Sequence, residues 1–201
     1  MGGRPRSREC DRAILEAALS EYAVHGLEGM SVDAVAASAG VSKATIYRRY
    51  ASKAELVVAA GCAAAEEQAP VPDTGSLRED LTTALHNLRH LLEDPVVGAA
   101  KRMLLVDAMR DDELARLHSE SVCARRQGMH DLFRRAAERG ELRRDVDVEF
   151  AAESVGAPLF YRYLVMHDRA TDAYIDAVVD DLIARYGVEQ SAALGAPDPL
   201  R

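Results

Sequence analysis

The stretch from Met30 to Leu56, MSVDAVAASAGVSKATIYRRYASKAEL, decides how the rest of the chain is read. Ser31 is a good N-cap, because its hydroxyl can accept a hydrogen bond from a free backbone N–H at a helix start. Val32, Val35 and Ala36 follow at helical spacing and give that helix an apolar face. Gly40 ends it where a positive φ is cheap. Ser42 caps a second short helix to Tyr47. Ser52 and Glu55 then have the spacing of a capping box for a third. Two short helices joined by a tight turn containing glycine form a helix-turn-helix, whose second helix is sized for a DNA major groove. The bland alternative is a helical hairpin with a solvated basic rim.

The second helix carries suitable chemistry. Lys43 and Thr45 can reach base edges or phosphates, and Tyr47, Arg48, Arg49 and Lys53 offer hydroxyl and cationic groups to the phosphate backbone. Ser31, Ser42, Ala44 and Tyr50, on the same helices and turns, complete the candidate DNA-contacting set. Upstream, Gly2, Gly3 and Pro5 make residues 1–8 a flexible arm, with Arg4, Arg6 and Arg8 spaced to follow a strand. Such an arm can lie in a minor groove, where negative potential attracts Arg, or be a free tail.

At these residues the chain resembles the N-terminal DNA-binding domain of the TetR (tetracycline-repressor) family of transcriptional regulators. The likeness runs without a gap from about Ile14 to Leu56. Gly26, Ala36, Gly40, Val41, Ser42, Ile46, Tyr47, Tyr50, Lys53 and Leu56 fall where the family has the same or a similar residue. Tyr50 stands where Phe is usual and Ala51 where Pro is usual, and both leave the turn intact. The resemblance implies an all-α protein of about nine helices. A three-helix helix-turn-helix domain would be followed by a helical effector-binding and dimerisation domain.

Composition agrees. The chain has 201 residues, 48% of them apolar, with no Trp and 5% aromatics. A core of Ala, Leu and Val favours helices over sheets. No apolar run approaches the roughly 18 residues of a membrane span. Residues 1–12 lack the apolar segment of a secretory signal. Cys10, Cys62 and Cys123 form neither a disulfide framework nor a zinc spacing, which suits a reducing cytoplasm. The net charge of −8 is unevenly spread: residues 1–50 hold seven basic against six acidic residues, so the remainder carries −9. DNA binding depends on a local basic face, not on the total. Only three lysines among 25 basic residues, with abundant Ala, point to a GC-rich bacterial genome.

In chain order, a first helix spans about Glu9–His25, with Ile14, Leu15, Ala18, Leu19 and Tyr22 on one stripe and His25 at its C-terminal end. An Ala-rich helix runs from Ser52 to about Gln68. Ala69–Gly75, with Pro70 and Pro72, stops it and marks the domain boundary. The expected units are therefore 9–68 for DNA binding and 76–187 for effector binding and dimerisation, with 188–201 a disordered tail. Ser76 and Glu79 have capping-box spacing before a strongly amphipathic helix. On that helix His86 and His90 lie four apart on the polar face with no third ligand nearby, so no metal site is expected. Asp94-Pro95 starts the next helix. Its apolar stripe ends at Asp107, a carboxylate that either lines a pocket, reaches solvent or makes an ion pair. A long helix from Asp111–Asp112 to about Arg139 carries the basic run Arg125, Arg126, Arg134, Arg135 and Arg139, read as a solvated face. Helices over about Asp147–His167, interrupted at Gly156 and Pro158, and Thr171–Tyr186 complete the chain.

The resemblance implies that these last two helices pair with their copies in a four-helix dimer interface. The candidates there are Ala152, Val155, Gly156, Leu159, Tyr163, Ile175, Val178, Val179 and Leu182. It further implies that the middle helices enclose a pocket for a small, largely apolar effector, with candidates Leu88, Leu92, Met103, Asp107, Met129, Phe133, Phe160 and Tyr161. There is no phosphate loop, nucleophile elbow or paired-carboxylate cleft, so no catalytic residue and no cofactor is expected. The functional expectation is a dimeric regulator, a repressor released by its effector from a near-palindromic double-stranded operator. The alternatives are a helical enzyme or carrier with an incidental helix-turn-helix, and a DNA-architectural protein of low specificity.

Overall fold

The computed structural model describes residues 5–188 and, within them, every side chain except those of residues 5–7, 124 and 125. In this range nine α-helices follow in order: α1 (Pro5–Gly29), α2 (Val32–Ser38), α3 (Lys43–Tyr47), α4 (Lys53–Gln68), α5 (Leu77–Glu93), α6 (Pro95–Asp107), α7 (Asp112–Glu138), α8 (Val148–Phe160) and α9 (Asp172–Tyr186). A π-helical turn, Tyr161–Val165, extends α8. No helix among the described residues is long and apolar enough to cross a membrane.

Local chemistry starts most of these helices where the sequence places them. Ser31, Ser42, Ser52, Asp94, Asp111, Asp147 and Thr171 each accept a backbone N–H from the first turn they cap. Ser76 is an exception. It makes no side-chain cap bond with Glu79; instead Glu141, from beyond α7, accepts the N–H of Leu77. A distant carboxylate has taken the place of the local one.

Helix α1 departs from expectation at both ends. It begins at Pro5 rather than Glu9, so Arg6 and Arg8 belong to its first turns and not to an arm. Arg4 lies outside the described residues, as does the tail beyond residue 188. At the other end α1 continues past His25 to Gly29, broken at Gly26 with φ 65° and ψ −176°. In α8, Pro158 removes a helical N–H, and the helix resumes as the π turn, closed by Met166 N–H to Tyr161 O at 3.1 Å. Gly156 lets α5 approach: a Cβ there would stand 3.2 Å from Leu88.

Two apolar cores result, and they do not divide at the proline-rich segment. The first joins α1–α4 to Leu91, Val97, Ala100 and Leu114, so the end of α5, α6 and the start of α7 pack on the N-terminal helices. The second gathers α5, the C-terminal half of α7, α8 and α9 around Leu81, Leu85, Phe133 and Ile175. Leu88 touches both. The segment between α4 and α5 is fastened down. Arg135 donates to Pro72 O at 2.9 Å and pairs with Asp73 at 3.2 Å. The fully buried Asp80 accepts from Thr74 N–H at 2.6 Å and Thr74 Oγ1 at 2.8 Å, with Arg139 3.6 Å away.

The basic run on α7 is accordingly not a free face. Arg126 pairs with Glu149 and Glu153, Arg134 with Asp131 and Glu138, Arg135 with Asp73, and Arg139 with Asp80 and Glu141. Replacing Asp80 removes the acceptor that ends the strap and leaves Thr74 N–H unsatisfied. Asp80→Ala should therefore lower unfolding free energy by roughly 2 kcal/mol in urea denaturation, against less than about 0.5 for Glu79→Ala, whose carboxylate caps nothing.

Candidate nucleic-acid interface

Helix α3 buries only Ile46 and turns its other residues outward. Ser42, at its N-cap, accepts Thr45 N–H at 3.2 Å and shares a hydrogen bond with Thr45 Oγ1 at 2.9 Å, fixing the first turn. Lys43, Ala44, Tyr47 and Arg48 are left exposed. Helix α2 supplies the adjoining edge. Its cap Ser31 is exposed, and Ser31 N–H is held by Glu21 of α1 at 3.1 Å. These residues form one polar surface with the recognition-helix N-terminus at its centre, the end that meets base edges in helix-turn-helix complexes.

Three of the expected DNA contacts are directed elsewhere. Arg49 is paired with Asp11 of α1 at 2.6 Å, so it ties α3 to α1. Lys53 aims its ammonium at the carbonyls of Leu27 and Glu28, 3.4 and 3.3 Å away, where a cation satisfies the end of α1. Tyr50 packs partly buried on the N-terminal core; burial first, then Asp11, raises its phenol above the usual range. The side chain of Arg6 is outside the described set. Conversely, sequence reasoning missed Asp33. This exposed carboxylate in the first turn of α2 pairs with Lys43 Nζ at 2.8 Å and raises its pKa. The only signal available was an acidic residue among basic ones.

The surface is attached to the rest of the molecule at the α1–α6 seam. The break at Gly26 frees Leu27 N–H from the helical ladder, and Asp107 Oδ2 accepts it at 2.9 Å. Asp107 is thus neither a pocket wall nor half of an ion pair; it caps another helix across the seam. A Cβ at Gly26 would stand 3.2 Å from that oxygen and 3.3 Å from Met103 Sδ. The Tyr22 hydroxyl is buried beside it, and burial, then the charge and hydrogen bonding of Asp107, push its phenol up. A second tie joins Ser52, the α4 cap, to Glu113 of α7, its hydroxyl donating at 3.0 Å.

The eight residues expected around an effector are not gathered at one cavity. Phe133 is closed into the second core, Leu92 is buried beside a crevice of about 10 Å³, and Met129 packs on the same core. Phe160 and Tyr161 face outward. Met103 and Asp107 belong to the seam, and Leu88 lies between the cores. A larger cleft, about 560 Å³, opens between α1, α4 and the start of α6. Leu15, Leu19, Ala63, Ala64 and Val97 make its apolar floor, and Arg12 crosses its rim to Glu16 at 2.6 Å and Glu67 at 3.2 Å.

Most of the residues expected at a dimer interface pack inside the protomer. Ala152, Val155, Leu159, Ile175, Val179 and Leu182 are buried in the protomer's own core. Val178 packs partly buried on that core, and Gly156 lies against Leu88. Tyr163 turns to α6, where its hydroxyl accepts from Arg102 at 2.7 Å. An apolar period finds the face toward the nearest core, which here is internal. The large apolar side chains left exposed on α8, its π turn and the residue after it are Phe150, Phe160, Tyr161, Val165 and Met166. Of the two polar-face histidines, His86 has its Nδ1 3.0 Å from Arg89. Among the described residues no cluster of His, Cys, Asp and Glu is arranged to hold a metal.

Known proteins share both halves. A family model described as bacterial regulatory proteins, tetR family, matches residues 14–60, and one for the tetracyclin repressor-like C-terminal domain matches residues 71–182. The HTH-type transcriptional regulator YdeS of Bacillus subtilis is 33% identical over 192 residues, covering 95% of this chain and 96% of its own. A Mycobacteroides abscessus protein named DNA-binding transcriptional repressor TetR is 35% identical over 181 residues, covering 85% and 90%. The crystal structure of the TetR family transcription regulator SCO0332 superposes with a TM-score of 0.74 at 28% identity, covering 88% of this chain and 97% of that one. A helix-turn-helix surface joined to a helical body, and family likeness along almost the whole length, lead to one conclusion: the chain belongs to the TetR family of DNA-binding transcriptional regulators.

Proposed function

We propose that this regulator acts as a dimeric repressor, released from a near-palindromic operator by a small, largely apolar effector. The observation that carries the reading is the seam. The surface bearing α3 is bonded through Leu27 N–H to Asp107 at the end of α6, so the position of α6 sets the position of the recognition helix. Repression as the outcome is supported by the named repressor among the relatives.

Dimerisation is supported by the unpartnered outer face of α8. Phe150, Ala157 and Tyr161 lie along one side, seven and four residues apart, beside Phe160 and Val165, and all are exposed. On α9 the exposed Ala173, Ala177 and Ala184 continue the surface with small residues that allow helices to approach closely. A twofold axis through this face would present two recognition helices about 34 Å apart, one turn of DNA. The effector is assigned to the cleft between α1, α4 and α6. Its volume is of the order that small ligands occupy, and its floor is apolar. A molecule wedged there would part α6 from α1 and strain the Asp107 bond. It lowers operator affinity only insofar as it binds the parted arrangement more tightly.

The operator test is fluorescence anisotropy with DNA from upstream of the protein's own gene and an unrelated duplex of equal length. Binding at least about a thousandfold tighter to the upstream DNA is expected, whereas equal affinity for both would favour an architectural role. Tyr161→Glu should shift the protein from dimer to monomer in analytical ultracentrifugation; an unchanged dimer would move the interface elsewhere. Asp107→Ala should weaken operator binding about tenfold without loss of helix content by circular dichroism, and Ala63→Trp should make operator binding insensitive to the effector.

A further inference from the structure

We propose that Asp33, acting with Lys43, is a specificity-determining residue that reads one G·C base pair in each operator half-site. This rests on the operator-binding role above. Asp33 stands in the first turn of α2 and Lys43 is the first residue of α3, and the two meet at 2.8 Å. Both are exposed, with side-chain accessibilities of 72% and 48%, so the pair adds little to the stability of the fold. A carboxylate on a DNA-facing surface also opposes phosphate and lowers affinity for every sequence alike. Its place in the first turn of α2 suits the helix dipole, a small effect at an exposed site, but that does not call for a lysine of α3 beside it, and general DNA attraction disfavours it.

Base-pair chemistry supplies a reason for the pairing. The pair presents a cationic donor and an anionic acceptor side by side, at the recognition-helix end that meets base edges. A G·C pair presents the complement in the major groove: guanine N7 and O6 accept, and the neighbouring cytosine N4 amino group donates. Lys43 reaches the guanine acceptors on its flexible stem, while Asp33 accepts from the cytosine. An A·T pair in the same pose keeps the purine N7 acceptor but reverses the other two groups. The adenine N6 amino group would face the ammonium, and thymine O4 would face the carboxylate. Like meets like twice, so the pair selects by repulsion as well as attraction. Of its neighbours, Ala34 and Ala44 are small, and the Ser42 and Thr45 hydroxyls are engaged with each other at 2.9 Å.

The test is selection of binding sites from a random duplex library by the full-length wild type, Asp33→Ala and Lys43→Met. These exposed positions leave the helices intact. The expected result is a palindromic motif in which both variants lose preference at the same G·C position, with discrimination there falling about tenfold and other positions unchanged. Asp33→Ala should also bind a random-sequence duplex more tightly than wild type, because a negative charge is gone from the DNA-facing surface. A wild-type motif that Asp33→Ala leaves intact overturns the proposal, as does a loss confined to an A·T position. A wild type that enriches no motif overturns the operator-binding role itself, a different failure.

Discussion

The bond from Leu27 N–H to Asp107 is the constraint on which the arrangement of the molecule depends. It exists because Gly26 leaves the helical region. A residue with a side chain would keep α1 continuous or strain it, and Leu27 N–H would then be spent within the helix. The break offers a free donor at the one place where α6 ends, and Asp107 arrives there with an oxygen at 2.9 Å. A hydrogen bond to a charged acceptor contributes roughly 1.5–3 kcal/mol, a large share of the stability that holds one helical unit on another. The surrounding apolar packing of Tyr22, Met103, Val97 and Ala100 extends the seam but does not aim it.

The division of the two cores follows. α6 packs on the N-terminal helices although the chain reaches it only after the proline-rich segment, so the unit that meets DNA includes part of what a linear reading assigns to the effector half. Placing the effector in the cleft between α1, α4 and α6 is consistent with this. A ligand there touches both sides of the seam at once and needs no long path through the protein to act.

Much of the fold was legible because helix starts are local. Ser31, Ser42, Asp94, Asp111, Asp147 and Thr171 cap helices using N–H groups two or three residues away, a relation that spacing alone reveals. The capping box of Ser76 and Glu79 failed because Glu141, 64 residues from the bond it makes, reached Leu77 first. The DNA-facing surface was legible as a set of residue types but not as directions. Arg49 and Lys53 have the charge for phosphate, yet α1 presents Asp11 and two free carbonyls within their reach. The dimer-interface expectation meets a similar ambiguity. Periodicity marks the buried stripe of α8, while a partner needs the apolar side chains left on the opposite face, such as Phe150 and Tyr161. Asp107 was legible as an anomaly on an apolar stripe; its partner was invisible until a break 80 residues away was seen.

The strap between α4 and α5 limits what kind of motion can control the molecule. It is anchored on α7 by Pro72 and Asp73 and closed at Thr74 by Asp80. The covalent path joining the two halves is therefore short, inextensible and pinned along its length. Should the bond at Asp107 open, the N-terminal unit cannot drift away, and its effective concentration at the seam stays high enough to reseat it quickly. What remains to it is a swing about the strap as a pivot. At the far end of the unit a few degrees of such a swing would displace α3 sideways, and for the proposed dimer on a rigid duplex that would be a mismatch of pitch. If α6 and α1 part at the seam, the strap still joins the halves, and the movement left to them is one of angle.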